Sequence, residues 1–235
     1  MCVDVLHKIP TGCKKIDEIL EGGIPNRKVS LVYGEAETGK TTLTMQCAVN
    51  CARRGYKTLF VDCDGAFSTR RLSQIALRDF QNIADLIILM KPDNFSEQAI
   101  VMDRLTDYIT KSFGLLVIDT LTSLYRVAVA ESPEKTFELN RELNRQMACL
   151  AQIAKTQKIT VLTTSQVRSV FNEALVSIEP VATRVLKFWA DTIITMKPTE
   201  NPQIIKAVLE KNPKAQPFTC YLKIEETGIH EYSIH

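Results

Sequence analysis

The stretch Gly34-Glu35-Ala36-Glu37-Thr38-Gly39-Lys40-Thr41 constrains this chain more than any other. It fits G-x-x-x-x-G-K-[ST] and stands between an apolar run, KVSLVY (28–33), and a helix-like segment at about 40–54. A phosphate-binding loop needs that context. Glycines let successive backbone N–H groups turn inward around phosphate oxygens, and the helix N-terminus behind them adds its positive dipole end. In such a loop Lys40 reaches the β- and γ-phosphates, and the Thr41 hydroxyl ligates Mg²⁺. At ordinary residue frequencies the pattern arises by accident in a chain of this length about once in a hundred. The flanking strand and helix lower that several-fold. ATP and Mg²⁺ are therefore the expected ligands, held by Gly34, Glu35, Ala36, Glu37, Thr38, Gly39, Lys40, Thr41 and Thr42.

The remaining pattern predicts the fold around that loop. The runs KTLFVD (57–62), DLIILM (85–90), GLLVID (114–119) and KITVLTTS (158–165) read as strands. They alternate with helical segments at 69–79, 96–111 and 133–158. In the last of these, Phe137, Leu139, Leu143, Met147, Leu150, Ile153 and Ala154 recur at helical spacing, and Pro133 suits a first turn. Strand–helix alternation implies a mainly parallel sheet with right-handed crossovers. GLLVID, purely apolar up to its aspartate, suits a strand buried on both faces. Its last residue, Asp119, has the form of a carboxylate that holds Mg²⁺ through water; a plain strand-end cap is the other reading. After Ala182 the segments RVLKFWADTIITM, QIIKAVLE and FTCYLKIEE read as strand after strand, an antiparallel extension. The expected fold class is α/β: one domain over 1–235, a central sheet flanked by helices with antiparallel C-terminal strands.

Charge and composition narrow the partners. Lys and Arg number 29 against 27 Asp and Glu, a net charge of +2, so nucleic acid would have to be held by a local patch. With 45% hydrophobic and 24% charged residues the chain is ordinary for a globular protein. Apolar runs such as LLVI (115–118) are far short of a bilayer span, and MCVDVLHKIP lacks the apolar stretch of a signal peptide. The seven cysteines are odd in number and form no C-x-x-C pair, which suits reduced thiols inside a cell. Cys47 and Cys51 share a helix face without further ligands nearby, and His7, His230 and His235 form no zinc pattern. A cytoplasmic protein without a membrane partner is expected. Phe67, Phe137, Phe188 and Trp189 are expected in the core.

Six blocks follow one another in order: PTGCKKIDEILEGGIP (10–25), the phosphate loop, FVDCDGAFSTRRL (60–72), LLVIDTLTSLYR (115–126), LNRELNRQM (139–147) and TVLTTSQV (160–167). Together they resemble the ATPase core of the RecA/RadA/Rad51 recombinases, over about residues 10–229. The resemblance implies a RecA-like P-loop ATPase core and a role in DNA repair and homologous recombination. The helical N-terminal DNA-binding domain and the Phe-x-x-Ala linker of those recombinases have no counterpart here, so the chain is similar to the core-only archaeal paralogs. RadA-like filaments built through that linker are not expected.

The resemblance also assigns roles. Asp64 stands where the family has a glutamate that orients the attacking water. One methylene less leaves the carboxylate about 1.5 Å short, and misplacement of that order costs about a hundredfold in rate. ATP is thus expected to bind tightly and turn over slowly, a weak DNA-dependent ATPase at most. Arg71 falls where the family stacks a guanidinium on adenine. Gln166 matches the glutamine that senses the γ-phosphate, which makes Lys40, Asp64 and Gln166 the catalytic set. Two segments correspond to DNA-facing loops: one after Asp119 carrying Arg126, and one at about 167–182 carrying Arg168 and Phe171, with Arg184 and Lys187 beyond. Cations for phosphates and a ring for stacking are what single-stranded DNA requires. The second loop is short, lacks the paired glycines and carries Glu173 and Glu179, which argues against strand exchange. The implied partners are single-stranded DNA, a RadA-type recombinase, a Holliday-junction resolvase and a second copy of the chain. KaiC-like regulatory ATPases, which share the core and the TGCKKIDEILEGGIP-type entry and need no DNA, are the alternative. LNRELNRQM together with Arg126 favours the recombinases. An inert scaffold that keeps an ATP site for stability is a third class.

Overall fold

Strands made almost wholly of apolar and β-branched residues are stable only when covered on both faces. The computed structural model describes residues 8–172, 175–180, 182–212 and 216–232, with the backbone alone at 168–172 and 175–180. At its entry, β1 (Lys8–Ile9) pairs antiparallel with β2 (Ile24–Pro25) around α1 (Lys14–Ile19). Asp17 ties this entry together, accepting the Thr11 hydroxyl and amide at 2.8 Å each and the Gly12 amide at 3.0 Å.

The alternating body follows: β3 (Val29–Gly34), α2 (Lys40–Ala52), β4 (Lys57–Asp62), α3 (Thr69–Ala76), α4 (Phe80–Ala84) and β5 (Ile87–Met90). It continues through α5 (Phe95–Tyr108), β6 (Phe113–Asp119), α6 (Ser123–Glu131), α7 (Thr136–Thr156) and β7 (Thr160–Ser165). A hairpin of β8 (Val167–Asn172) and β9 (Leu175–Pro180) precedes α8 (Thr183–Trp189). The chain then runs through β10 (Thr192–Pro198), β11 (Ile204–Lys211), β12 (Phe218–Glu225) and β13 (Gly228–Tyr232).

One sheet holds the strands in the order β13-β12-β11-β10-β3-β7-β6-β4-β5. From β10 to β5 neighbours run parallel, and from β10 to β13 antiparallel, as the change of pattern after Ala182 implies. The inner strands β3, β6 and β7 are buried throughout, whereas Ile88 and Leu89 of the edge strand β5 reach the surface. Alternation along β6 fills two layers. Leu115 and Val117 enter the layer under α1, α2 and α3, and Leu116 and Ile118 the layer under α5, α6, α7 and α8. At about 1.5–3 kcal/mol for each large aliphatic side chain fully removed from water, these layers dominate stability. The same geometry brings the C-terminal ends of β3, β4, β6 and β7 to one edge, where the phosphate loop lies.

Residues 184–189, expected to open a strand, form α8 instead. Leu186 and Ala190 are buried four residues apart while Phe188 is 74% exposed, the spacing of a helical face rather than of a strand. Aromatic and β-branched content had biased the segment toward strand. Phe137 is 80% exposed as well. It precedes Leu143 by six residues, about 120° around α7 from the buried stripe. Phe67 and Trp189 do pack: Phe67 meets Phe60 edge-on at 4.9 Å, and Trp189 lies on the second layer with its Nε1 donating to Asn144 at 2.9 Å. The two expected DNA-facing loops are also more regular than loops, since Arg126 lies within α6 and most of the second is the β8–β9 hairpin.

Cys13, Cys47, Cys51, Cys63 and Cys220 are buried free thiols, and Cys149 is half-buried. Burial pushes Cys13 up to about 12 and Cys51 and Cys220 to about 11, and it raises Cys47, Cys63 and Cys149 too; Cys149 alone of these is only half-buried. Because the thiolate is the reacting species, iodoacetamide at mildly alkaline pH should label Cys149 first among these residues. Peptide mass spectrometry over a time course checks the order, and labelling of Cys47 at an equal rate would contradict it.

Candidate nucleotide site

The phosphate loop begins where β3 can go no further as a strand with a side chain. Gly34 pairs with Met196 of β10, and a Cβ on it would lie 2.1 Å from the Met196 carbonyl oxygen. Gly39 then starts α2 at φ 84°, a left-handed backbone that glycine adopts at no steric cost. No side chain caps α2, so the N–H groups of its first turn, orphaned in any helix, are left for an anion. The loop lines a cleft of about 530 Å³ with Asp64 and Ala66 beyond β4, Arg126 of α6, Gln166 beyond β7 and Ile224 of β12. That volume is in the range of small-molecule sites.

Lys40 is only 7% exposed and donates its Nζ to the Glu35 carbonyl at 2.6 Å, beside the Thr38 hydroxyl at 2.8 Å on the same oxygen. Burial lowers its ammonium pKa, against the raising effect of Asp119, Asp64 and Glu35. A phosphate oxygen is a stronger acceptor than this carbonyl, because ionised partners roughly double a hydrogen bond. Asp119, fully buried at the end of β6, accepts the Thr164 hydroxyl on one carboxylate oxygen, while Oδ2 is buried without a partner. Burial pushes its carboxyl up, with the Thr164 and Thr41 hydroxyls opposing. A buried unpartnered carboxylate oxygen is costly, and a hydrated Mg²⁺ would satisfy it. Thr41 and Asp119 thus fit the metal, which when bound neutralises charge on the β- and γ-phosphates.

Asp64 is presented by a turn that Asp62 holds in place. The buried Asp62 carboxylate accepts the Ala66 and Phe67 amides at 3.0 and 3.2 Å and lies 3.5 Å from Lys91 Nζ. Across the cleft Ser123 donates to Asp64 Oδ1 at 2.7 Å. Gln166 donates its Nε2 to the Ser123 oxygen at 3.2 Å, and Arg126 donates to Gln166 Oε1. The structure therefore gathers Lys40, Thr41, Asp64, Asp119 and Gln166 at one place. It adds Arg126, which was expected only among the DNA-facing cations. Arg71 donates to the Glu225 and Glu226 carbonyls at 2.7 and 2.9 Å, one and two residues beyond Ile224, and burial lowers its pKa.

The family model described as Rad51 matches residues 4–232. The chain belongs to the Rad51 family. It is 33% identical over 228 residues to the DNA repair and recombination protein RadB of Methanobrevibacter smithii, covering 95% of both. With the protein of the same name from Methanothermobacter thermautotrophicus it shares 32% over 210 residues and 88% of each chain. A solved structure, the crystal structure of the RadB recombinase, matches with a TM-score of 0.82 at 31% identity, over 96% of this chain and all of that one. The architecture is accordingly RecA-like, and membership of the Rad51 family sides with the recombinases over the KaiC-like class. Nucleotide binding in general goes with that membership.

The cations expected to face DNA in a Rad51-family protein divide into three fates. Arg184, exposed on α8, shares with Arg126 a groove of about 630 Å³ between α6, α7 and α8, lined also by Tyr125, Asn140 and Val185. Lys187 is turned inward: its Nζ lies 3.3 Å from Glu210 and 5.4 Å from the centre of the Tyr33 ring. Burial would raise the Glu210 carboxyl, but the Thr195 and Tyr33 hydroxyls at 2.5 and 2.6 Å and the Lys187 charge outweigh it and hold it low. Lys187, expected among the DNA-facing cations, is thus paired with Glu210 within the protein. The side chains of Arg168 and Phe171 lie outside the described residues; their backbone belongs to β8.

Ile224 in the cleft wall and Ser123 behind Asp64 are among the residues that escaped the sequence. Ile224 comes from the far end of the chain and carries no local signal. Ser123 had one clue only, its place four residues beyond Asp119 at the start of α6.

Proposed function

We propose that this Rad51-family chain binds ATP·Mg²⁺ on residues 34–42 and single-stranded DNA along the groove under Arg126 and Arg184. In that reading it serves DNA repair and homologous recombination in the cytoplasm, as a regulator of a RadA-type recombinase or of a Holliday-junction resolvase. A second copy of the chain is a further partner. Lys40 stabilises phosphoryl charge, Thr41 and Asp119 hold the metal, Arg71 meets the base, and Asp64 and Gln166 attend the γ-phosphate. Hydrolysis is slow and binding is the working event. The observation that carries the reading is the position of Arg126, a cation in the wall that divides the nucleotide cleft from the groove. That position lets one cation face both the cleft and the groove.

The test is titration of a labelled oligo-dT with and without ATP·Mg²⁺ at several salt concentrations. Micromolar or tighter binding is expected. With two to four phosphate contacts, log K should fall against log salt with a slope of about −1.5 to −3. Absence of binding even at low salt would overturn the DNA assignment and leave a regulator that works through protein partners.

A further inference from the structure

A cleft built for phosphates should carry more positive charge than negative. This one does not. Among the described residues two cations line it, Lys40 of the loop and Arg126 of α6. Carboxylates outnumber them: Glu37 and Asp64 stand in the wall, and Asp119 and Glu35 lie near enough to act on the Lys40 ammonium. Asp64 accepts the Ser123 hydroxyl at 2.7 Å, and Asp119 accepts the Thr164 hydroxyl. Glu37 is different. It is exposed, and among the described residues its carboxylate has neither a hydrogen bond nor an ion pair. Its backbone is also unusual, at φ 62°, in the left-handed region that residues other than glycine, asparagine and aspartate seldom enter. Strain of this kind persists where the surroundings hold it, and it gathers at functional sites. The loop thus keeps a strained residue whose charge opposes the ligand.

We propose that Glu37 is a specificity-determining residue that makes the cleft select nucleotide loaded with a divalent cation over the bare triphosphate; the inference rests on the ATP·Mg²⁺ reading above. Lys40 and Arg126 attract the more negative, bare form more strongly. Glu37 opposes that preference, because it repels the bare form more strongly too. Bound Mg²⁺ removes two negative charges from the triphosphate. A cleft of about 530 Å³ is about 8 Å across, and at that distance in water each pair of unit charges changes a binding constant by about 2.4-fold. Two charges fewer therefore favour the metal-loaded form by about fivefold to sixfold, and by more where protein walls lower the dielectric constant. Thr41 and Asp119 meet the metal by contact, whereas Glu37 acts on the charge of the whole ligand from a distance.

The experiment measures the affinity of the full chain for a fluorescent ATP analogue at low salt, once with excess Mg²⁺ and once with EDTA. The readout is the ratio of the two dissociation constants, which needs no turnover. Glu37→Gln keeps the size and the backbone strain and removes the charge. Its ratio should fall by at least about fivefold, chiefly because the bare analogue binds more tightly. Glu37→Asp keeps the charge and should keep the ratio within about twofold of wild type. Glu37→Gly removes charge and strain together and should match the glutamine variant. In about 0.5 M salt, where screening acts over about 4 Å, wild type and Glu37→Gln should differ by less than about twofold. An unchanged ratio in Glu37→Gln, an equal fall in Glu37→Asp, or a difference that persists in high salt overturns the inference and leaves the ATP reading standing. A wild-type protein that binds the analogue under neither condition overturns both.

Discussion

Replacing Lys40 by alanine is expected to weaken Mg²⁺-ATP binding by at least about a hundredfold while leaving the fold intact. Two charge-assisted contacts are lost, one to the β- and one to the γ-phosphate. Each is worth about 1.5–3 kcal/mol, and about 1.4 kcal/mol is a factor of ten. The fold is spared because the ammonium does little for it. Without nucleotide it bonds a carbonyl of its own loop, and burial already disfavours its charge. Titration calorimetry gives the affinity. Thermal unfolding gives a second view, since ligand at a hundred times its Kd adds about 2.7 kcal/mol to the wild-type protein, an addition the variant should lose. Affinity within threefold of wild type would reject the assignment of the site.

A change outside the cleft should have the largest effect on stability. Gln46 lies on α2, and its amide bonds both backbone groups of Ile229 on β13: Nε2 donates to the carbonyl at 3.0 Å, and Oε1 accepts the N–H at 2.7 Å. Room for it exists because Gly12 and Gly228 carry no side chain; a Cβ on either would lie 2.4 Å from the Gln46 amide. Gln46→Leu keeps the volume and removes the bonds. The Ile229 N–H is then buried without an acceptor, and the carbonyl keeps only the weak Cys13 thiol donor at 3.4 Å. At about 1–3 kcal/mol for each buried group left unsatisfied, the variant should lose about 2–4 kcal/mol. For a domain of this size that is a fall in Tm of about 5–15 °C. Differential scanning calorimetry measures it, and a shift below 2 °C would mean that α2 is not clamped to β13 in this way.

The legible parts of the molecule were those whose physics is local. GEAETGKT carries its own context, because a phosphate loop is built from contiguous backbone between a strand and a helix. LLVID is legible for the same reason: burial on both faces leaves no polar residue until the terminal Asp119. The strand–helix alternation fixes parallel pairing, since a crossover of that length returns the chain in the same direction. Where the signal was weaker, composition misled. Residues 184–189 are rich in aromatic and branched side chains, yet one helical face of them meets the core. Phe137 and Phe188 show that a large apolar side chain near a buried stripe need not belong to it.

Charge was the part the sequence could not distribute. Arg126, Arg184 and Lys187 look alike as isolated cations near two loops. Tertiary structure set Arg126 on Gln166 at the wall of the cleft, left Arg184 in the groove, and committed Lys187 to Glu210, a strand away. The role of a charged or hydroxyl group is set by the partners within hydrogen-bond reach, and those of Arg126, Ser123, Gln46 and Lys187 come from distant parts of the chain. The phosphate-loop motif and the strand and helix that flank it were therefore legible in the sequence alone. The connection between the nucleotide cleft and the neighbouring groove was decided only when the chain folded and brought Asp64, Ser123, Gln166 and Arg126 into one line.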